Sequence, residues 1–231
     1  MCLETHSESV IVSPSLLSCD FAHIAREVSA VTKAGADWLH VDVMDGHFVN
    51  NITIGPPVVK AIKKVAEIPL DVHLMIEEPE KYVDEFIKAG SDYLTIHVES
   101  TQKPLDVLRQ IKAQNVNPGI TLRPRTNLSE ILPYLDDVSM VLIMTVEPGF
   151  GGQSFMNDQV QKIKDLKKEI QNRGLDIHIE VDGGINQETA KICRDAGANV
   201  FVAGSYIFGA GKETGSDPVQ SYQKAIQSLR V

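Results

Sequence analysis

The chain has 231 residues, 43% hydrophobic and 23% charged, with a formal net charge of −9. That length suits one α/β barrel or one large sandwich, and the composition is that of an ordinary soluble globular protein. The acidic balance argues against nonspecific nucleic-acid binding and against attraction to an anionic membrane, but leaves room for an anionic substrate held locally by backbone amides.

Three cysteines, Cys2, Cys19 and Cys193, lie far apart without metal-ligand spacing. A disulfide framework is not expected from them, which suits a reducing compartment. The first nine residues read as a short polar tail without a signal core or an Arg-rich transit pattern. No apolar run is long enough to span a bilayer. These features lead us to expect a cytoplasmic protein whose residues 1–231 form one barrel domain.

Apolar strand-like runs alternate with helical patterns along the whole chain. The pattern predicts a strand over 11–17 and a helix over 21–34, then a strand over 38–43 and a helix over 57–65. A strand over 70–75 precedes a helix over 80–89, and one over 93–98 precedes a helix over 104–114. Next come a strand over 118–122 with a short helix over 128–133, and a strand over 140–146 with a long helix over 158–172. A strand over 178–181 with a helix over 187–196 and a strand over 200–203 with a helix over 218–229 complete the set. Eight β-then-α units without a composition break predict a closed (β/α)8 barrel. An open doubly wound sheet is the alternative, but its dinucleotide-binding version needs a glycine-rich turn after the first strand. Here Ser18-Cys19-Asp20 stands in that place. Ala34-Gly35, Ala89-Gly90 and Ala196-Gly197 each fall between a helix and the next strand, a repeated joint that a left-handed glycine can close.

Barrel active sites collect at the carboxyl ends of the strands. Period-2 alternation puts His40, Asp42 and Met44 on one face of the second strand, and His73 and Met75 on one face of the third. Ser13 and Ser15 share a face of the first strand, and Asp182 follows the seventh. A lone histidine in such a place is usually a hydrogen-bonded core residue. His40, Asp42, His73 and Asp182 together form a donor set suited to a borderline divalent cation. Gly149, Gly151 and Gly152 after the sixth strand, Gly183-Gly184 after the seventh and Gly204-Ser205 after the eighth make three consecutive glycine-rich loops. One such pair would only make a tight turn, whereas three in the late loops of a barrel point to a phosphorylated ligand bound by backbone N–H groups. Met44, Met75 and Met144 fall toward strand ends and are either core gap-fillers or an apolar, water-excluding pocket lining. His97 and Glu99 close the fourth strand without an assignable role.

Five stretches taken together resemble the ribulose-phosphate 3-epimerase family. They are His40-Val-Asp-Val-Met-Asp-Gly-His-Phe, Asp71-Val-His-Leu-Met, Glu147-Pro-Gly-Phe-Gly-Gly-Gln, Glu180-Val-Asp-Gly-Gly-Ile and Ala203-Gly-Ser, and Pro14-Ser-Leu-Leu-Ser fits as well. The resemblance runs from about residue 11 to the end of the chain. It implies a TIM barrel of the phosphate-binding type and reversible C3 epimerisation of D-ribulose 5-phosphate to D-xylulose 5-phosphate, a step of the pentose phosphate pathway. It makes His40, Asp42, His73 and Asp182 the ligands of one divalent ion per subunit (zinc, iron(II), manganese or cobalt). Asp42 and Asp182 become the acid/base pair that acts through a metal-stabilised enediolate. Ser15 and His73 would contact the sugar, and Gly149, Phe150, Gly151, Gly152, Gly183, Gly184, Gly204 and Ser205 would hold the phosphate, with Asp182 also touching substrate. A homo-oligomer, dimer or hexamer, is also implied. Asn50 departs from a proline common in the family, and Glu147 from an asparagine; both leave the proposed ligands in place. The alternatives are a related ketohexose 6-phosphate 3-epimerase and a non-enzymatic sugar-phosphate binding protein. Superfamily decarboxylases carry an Asp-x-Lys-x-x-Asp motif, and Asp42-Val-Met-Asp has no such lysine.

Overall fold

Strand β1 (Ile11–Pro14) pairs in parallel with β8 (Val200–Ala203), which begins a continuous ring of eight parallel strands in this computed structural model. The structure describes residues 9–211 and 218–230. Around the ring follow β7 (His178–Asp182), β6 (Met140–Met144), β5 (Asn117–Leu122), β4 (Tyr93–His97), β3 (Leu70–Met75) and β2 (Leu39–Met44). An isolated parallel bridge between Ser15 and His40 closes β2 onto β1. Asp37 reinforces that seam, because its carboxylate accepts the Val12 N–H at 2.7 Å and its own N–H donates to the Val12 carbonyl at 3.0 Å. Strand order follows sequence order, the arrangement of the (β/α)8 barrel that the alternating pattern predicts.

The outer layer follows from the period-2 pattern. Val41, Val43, Val72 and Leu74 point outward and join residues such as Val28, Ile62, Phe86, Leu108 and Ile163 in one continuous buried cluster. These helix residues come from α1 (Ile24–Lys33), α2 (Pro56–Lys63), α3 (Val83–Ala89), α4 (Pro104–Ala113) and α5 (Val160–Arg173). Each fully buried side chain of this kind contributes roughly 1.5–3 kcal/mol. After α6 (Gln187–Ala196) the chain enters β8 through Gly197 at φ +115°, and the matching joints use Gly35 at +92° and Gly90 at +107°.

Several element ends differ from expectation. β1 stops at Pro14, and Leu16–Ser18 turns into a 3-10 segment, so Ser15 leaves the strand to meet His40. The helices expected at 21 and 80 begin as 3-10 turns, Phe21–His23 and Pro79–Lys81, before α1 and α3. After β5 the expected helix is two 3-10 segments, Leu128–Glu130 and Leu132–Asp137. Pro133 lies within the second, where it removes a backbone donor. After β8 a short helix not anticipated from the sequence, α7 (Ser205–Ala210), precedes α8 (Pro218–Ser228). β7 extends through Asp182, and β6 ends at Met144. Glu99 sits in a 3-10 turn, Val98–Ser100, beyond the end of β4. Residues 1–8, including Cys2 and most of the expected polar tail, lie outside the described residues. Neither Cys19 nor Cys193 is in a disulfide. Among the described residues no helix is long and apolar enough to cross a membrane.

Candidate active site

At its amino-terminal end the barrel interior is apolar, where Trp38 stacks on Tyr93 with ring centroids 4.3 Å apart beside Met140 and Val200. Above this floor polar inward residues on β2, β3 and β7 mix with methionines and Leu142. The β2/β3 register pairs His40 with Asp71, Asp42 with His73 and Met44 with Met75, so each rung carries two side chains toward the axis. β7 adds Glu180 and, one rung higher, Asp182, which pairs with Met144 on one side and Val202 on the other.

His40, Asp42, His73 and Asp182 come together as the sequence expects, each offering a ligand atom within 4.8 Å of the others. His40 Nε2 is 3.2 Å and His73 Nδ1 3.4 Å from the same Asp42 oxygen. Both ring nitrogens are buried without a hydrogen-bond partner. Two unpartnered imidazole nitrogens facing a shared carboxylate, with a second carboxylate beside them, fit a divalent ion with nitrogen and oxygen ligands. The outer nitrogens are held from behind. His40 Nδ1 lies 2.5 Å from Asp71 Oδ2, and His73 Nε2 lies 2.9 Å from His97 Nε2. Such partners fix the ring orientation and tautomer of a metal-binding histidine.

The two aspartates sit in opposite electrostatic situations. Burial opposes the charge on Asp42, but His40 and His73 outweigh it and hold the carboxyl well below its usual range. The Ser15 hydroxyl also donates to Asp42 Oδ2 at 2.7 Å. For Asp182, burial and then the Asp42 charge push the carboxyl up to about 7. Burial likewise disfavours charge on His40, yet Asp42 and Asp71 raise it well above its ordinary value; burial lowers His73. Deeper in the barrel, burial and the neighbouring Asp71 raise Glu180 well above the usual carboxylate range.

Over this cluster lies a cleft open to the surface. Its lining includes Ser15, Asp42 and Asp182, the three methionines Met44, Met75 and Met144, and all the predicted loop residues: Gly149, Phe150, Gly151, Gly152, Gly183, Gly184, Gly204 and Ser205. Gly183 and Gly184 have φ of +126° and +65°. A Cβ on Gly183 would come within 2.5 Å of Val146, and one on Gly184 within 2.6 Å of the Phe155 nitrogen. Only glycine therefore fits this turn. Gly204 precedes α7, so Ser205 opens that helix at the rim. His40 and His73 are fully buried below the cleft lining.

The loops of the mouth are tied together. Asp45 accepts the N–H groups of His47, Phe48 and Glu77, at 2.8–2.9 Å, which shapes the turn after β2. Asn51 donates to the Gly149 carbonyl at 2.8 Å, and Gln153 to those of Glu147 and Phe150 at 2.7 and 2.8 Å. Glu147 itself lies 3.6 Å from Arg125, and Asn50 is exposed.

Fold and site define a class: a (β/α)8 barrel with a His/Asp cluster that could hold a metal ion, beneath glycine-rich loops. The ribulose-phosphate 3 epimerase family profile matches residues 11–208. The chain is 50% identical over 220 residues to ribulose-phosphate 3-epimerase of Bacillus subtilis, covering 95% of this chain and 97% of that one. It is also 50% identical over 223 residues to the chloroplastic ribulose-5-phosphate-3-epimerase of Arabidopsis thaliana (96% and 76%), and 42% identical to the cytoplasmic isoform of Oryza sativa (94% of each). The chain belongs to the ribulose-phosphate 3-epimerase family. A solved 3-hexulose-6-phosphate synthase is similar with a TM-score of 0.66 at 20% identity, covering 96% of this chain and 98% of that one. Tryptophan synthase of Mycobacterium tuberculosis follows at 0.64 and 15%, covering 97% and 94%. At these identities the likeness concerns the barrel alone.

Sequence reasoning gave no part to Asp71, Glu180 or His97. Alternation alone puts Asp71 on the His73 face and Glu180 on the Asp182 face, so the signal was present. The pairing of His97 with His73 depends on the β3/β4 register, which sets His73 beside Thr95 and His97 one rung above.

Proposed function

We propose that the protein interconverts D-ribulose 5-phosphate and D-xylulose 5-phosphate by moving the hydrogen at C3, an epimerase step of the pentose phosphate pathway. The observation that carries this reading is the convergence of two imidazoles and two carboxylates beneath a glycine-rimmed cleft, in a family member half-identical to curated epimerases. His40, Asp42, His73 and Asp182 would hold one divalent ion. When bound, such an ion supplies electrostatic stabilisation of negative charge developing on the substrate.

The C3 hydrogen is acidic because it lies beside the C2 ketone, and its removal gives an enediolate. Asp42, held ionised, takes that proton from one face in the ribulose-to-xylulose direction. Asp182, on the other side of the site, returns one to the opposite face. The roles exchange in reverse. Ser15 orients the Asp42 carboxylate through its hydrogen bond. The buried thioethers of Met44, Met75 and Met144 exclude water that would quench the intermediate from either side. Backbone N–H groups of residues 149–152, 183–184 and 204–205 bind the phosphate without lysine or arginine.

The test is incubation with D-ribulose 5-phosphate in heavy water, followed by NMR. The expected product is D-xylulose 5-phosphate with deuterium at C3. A chelator should stop its formation and an added divalent ion should restore it. A metal-replete protein that binds the sugar phosphate without C3 exchange would overturn the reading in favour of a binding protein.

A further inference from the structure

Beyond the proposed ligands, a row of polar groups leads from His73 to the surface and is absent from the mechanism above. His73 Nε2 lies 2.9 Å from His97 Nε2, and His97 Nδ1 lies 3.4 Å from Glu99 Oε2. Glu99 is anchored by its other oxygen, which accepts the Arg123 N–H at 2.7 Å and the Thr126 hydroxyl. The two imidazoles are stacked, with centroids 5.0 Å apart at 26°, and both are fully buried. The Phe48 ring covers His97 at 4.7 Å. Arg123 in turn lies 4.2 Å over Phe48 and donates to its carbonyl. This roof keeps water from replacing either member of the row.

Two neutral imidazoles in such a row share one polarity. If His73 carries its proton on Nε2, His97 must accept there and carry its own on Nδ1, facing Glu99. If His73 carries its proton on Nδ1, the row is reversed and a lone pair of His97 meets the Glu99 carboxylate. The two ends are alike: His73 Nδ1 faces Asp42 and His97 Nδ1 faces Glu99, each at 3.4 Å and each without a hydrogen bond. Only the first polarity leaves His73 Nδ1 free to bind a metal. Asp42 alone would draw the proton onto that nitrogen, so an acceptor at the far end is required to oppose it.

We infer that His97 and Glu99 are positioning residues that hold His73 in the tautomer with Nδ1 open toward Asp42, with Glu99 as the acceptor that sets the direction of the row. This rests on the proposed metal site but concerns a separate part of the chain. It makes Glu99→Gln a change of polarity at constant volume. The glutamine oxygen keeps the Arg123 and Thr126 contacts, and its NH2 turns toward His97 Nδ1. His97 is then favoured with its proton on Nε2, opposed to the proton that His73 must carry there when Nδ1 binds metal.

The experiment is zinc titration of the full-length chain against a competing chelator, with ¹⁵N–¹H spectra of the imidazoles assigned by the His73→Gln and His97→Gln variants. Zinc should shift His73 Nδ1 in the wild type, and zinc-loaded His97 should carry its proton on Nδ1. Zinc affinity should fall about 10–100-fold in Glu99→Gln, the range found when outer partners of metal ligands are lost. His97→Gln, whose amide can still accept from His73 and donate to Glu99, should keep most of the affinity. Zinc-loaded His97 protonated on Nε2, or Glu99→Gln binding zinc as tightly as the wild type, would overturn the inference. A wild type in which zinc leaves His73 Nδ1 unshifted would instead overturn the metal site on which it rests.

Discussion

Asp182→Asn separates the two halves of the proposed chemistry. Asp182 is placed to return a proton that Asp42 removes, so the variant should still take hydrogen from C3 of ribulose 5-phosphate yet fail to deliver one to the other face. A positioned acid or base is typically worth about 10²–10⁴-fold. At about 1.36 kcal/mol per tenfold, that corresponds to roughly 2.7–5.4 kcal/mol in the barrier for epimerisation. The asparagine side chain has nearly the carboxyl's shape, and Asp182 sits at the mouth rather than in the packed core, so the barrel should fold. The assay runs in heavy water and follows two signals: deuterium at C3 of recovered ribulose 5-phosphate, and appearance of xylulose 5-phosphate. Bound metal is measured in the same sample, because Asp182 is also a proposed ligand. With metal still bound, exchange should outlast epimerisation by at least a hundredfold. A metal-replete variant that epimerises within tenfold of wild type, or loses exchange and epimerisation in equal proportion, would refute the two-carboxylate scheme.

Gly183→Ala should lower stability by about 1–3 kcal/mol from backbone strain alone at φ +126°. With the clash against Val146 added, thermal denaturation should show a melting point at least roughly 2–12 °C lower, and titration should show a raised KM for the sugar phosphate. The acid limb of stability should depend on Glu99. Burial opposes its charge, but His97, Thr126 and the Arg123 N–H together lower its carboxyl to about 2 from the usual 4.5. A depressed carboxylate contributes stability above about pH 4.5 and loses it as pH falls toward 2, since the unfolded chain takes up the proton first. Denaturant titrations of the metal-free protein should therefore show that Glu99→Gln lacks this part of the acid loss, on the order of 1–2 kcal/mol after screening of its exposed edge. Identical slopes between pH 4.5 and 2 would contradict it.

The sequence carried the barrel because its alternation is strong and local: Val41 and Val43 out, His40 and Asp42 in. It singled out His40, Asp42, His73 and Asp182, which the structure brings together, because a histidine or carboxylate at an inward strand position is unusual enough to notice. It failed where the outcome depends on register or competition. His97 reaches His73 only through the β3/β4 stagger, which one strand's pattern does not contain. Where a helix is expected after β5, two 3-10 segments meet, and Pro133 stands in the first turn of the second, where its missing N–H does no harm but where a helix continued from residue 128 would lose a bond. α7 was missed because Ser205-Tyr-Ile-Phe-Gly-Ala is too short for an amphipathic period to register, although its first residues border the cleft.

The interior of this barrel is a poor way to stabilise a fold and a reasonable way to hold a cation. Asp42, Asp71 and Glu180 stand buried around His40, and one oxygen of Asp71 and both of Glu180 have no hydrogen-bond partner. Unpaired buried carboxylates are costly, so such a group must be neutralised by a proton or by a positive neighbour. Glu180 takes the first course, with its carboxyl raised well above the usual range. Asp42 and Asp71 take the second, by drawing positive charge onto His40. A divalent ion at His40 Nε2, His73 Nδ1, Asp42 and Asp182 would supply that positive charge in place of the proton, while Asp71 keeps its hold on the far side of the His40 ring. The apolar packing outside the strands carries the folding energy that these interior carboxylates do not.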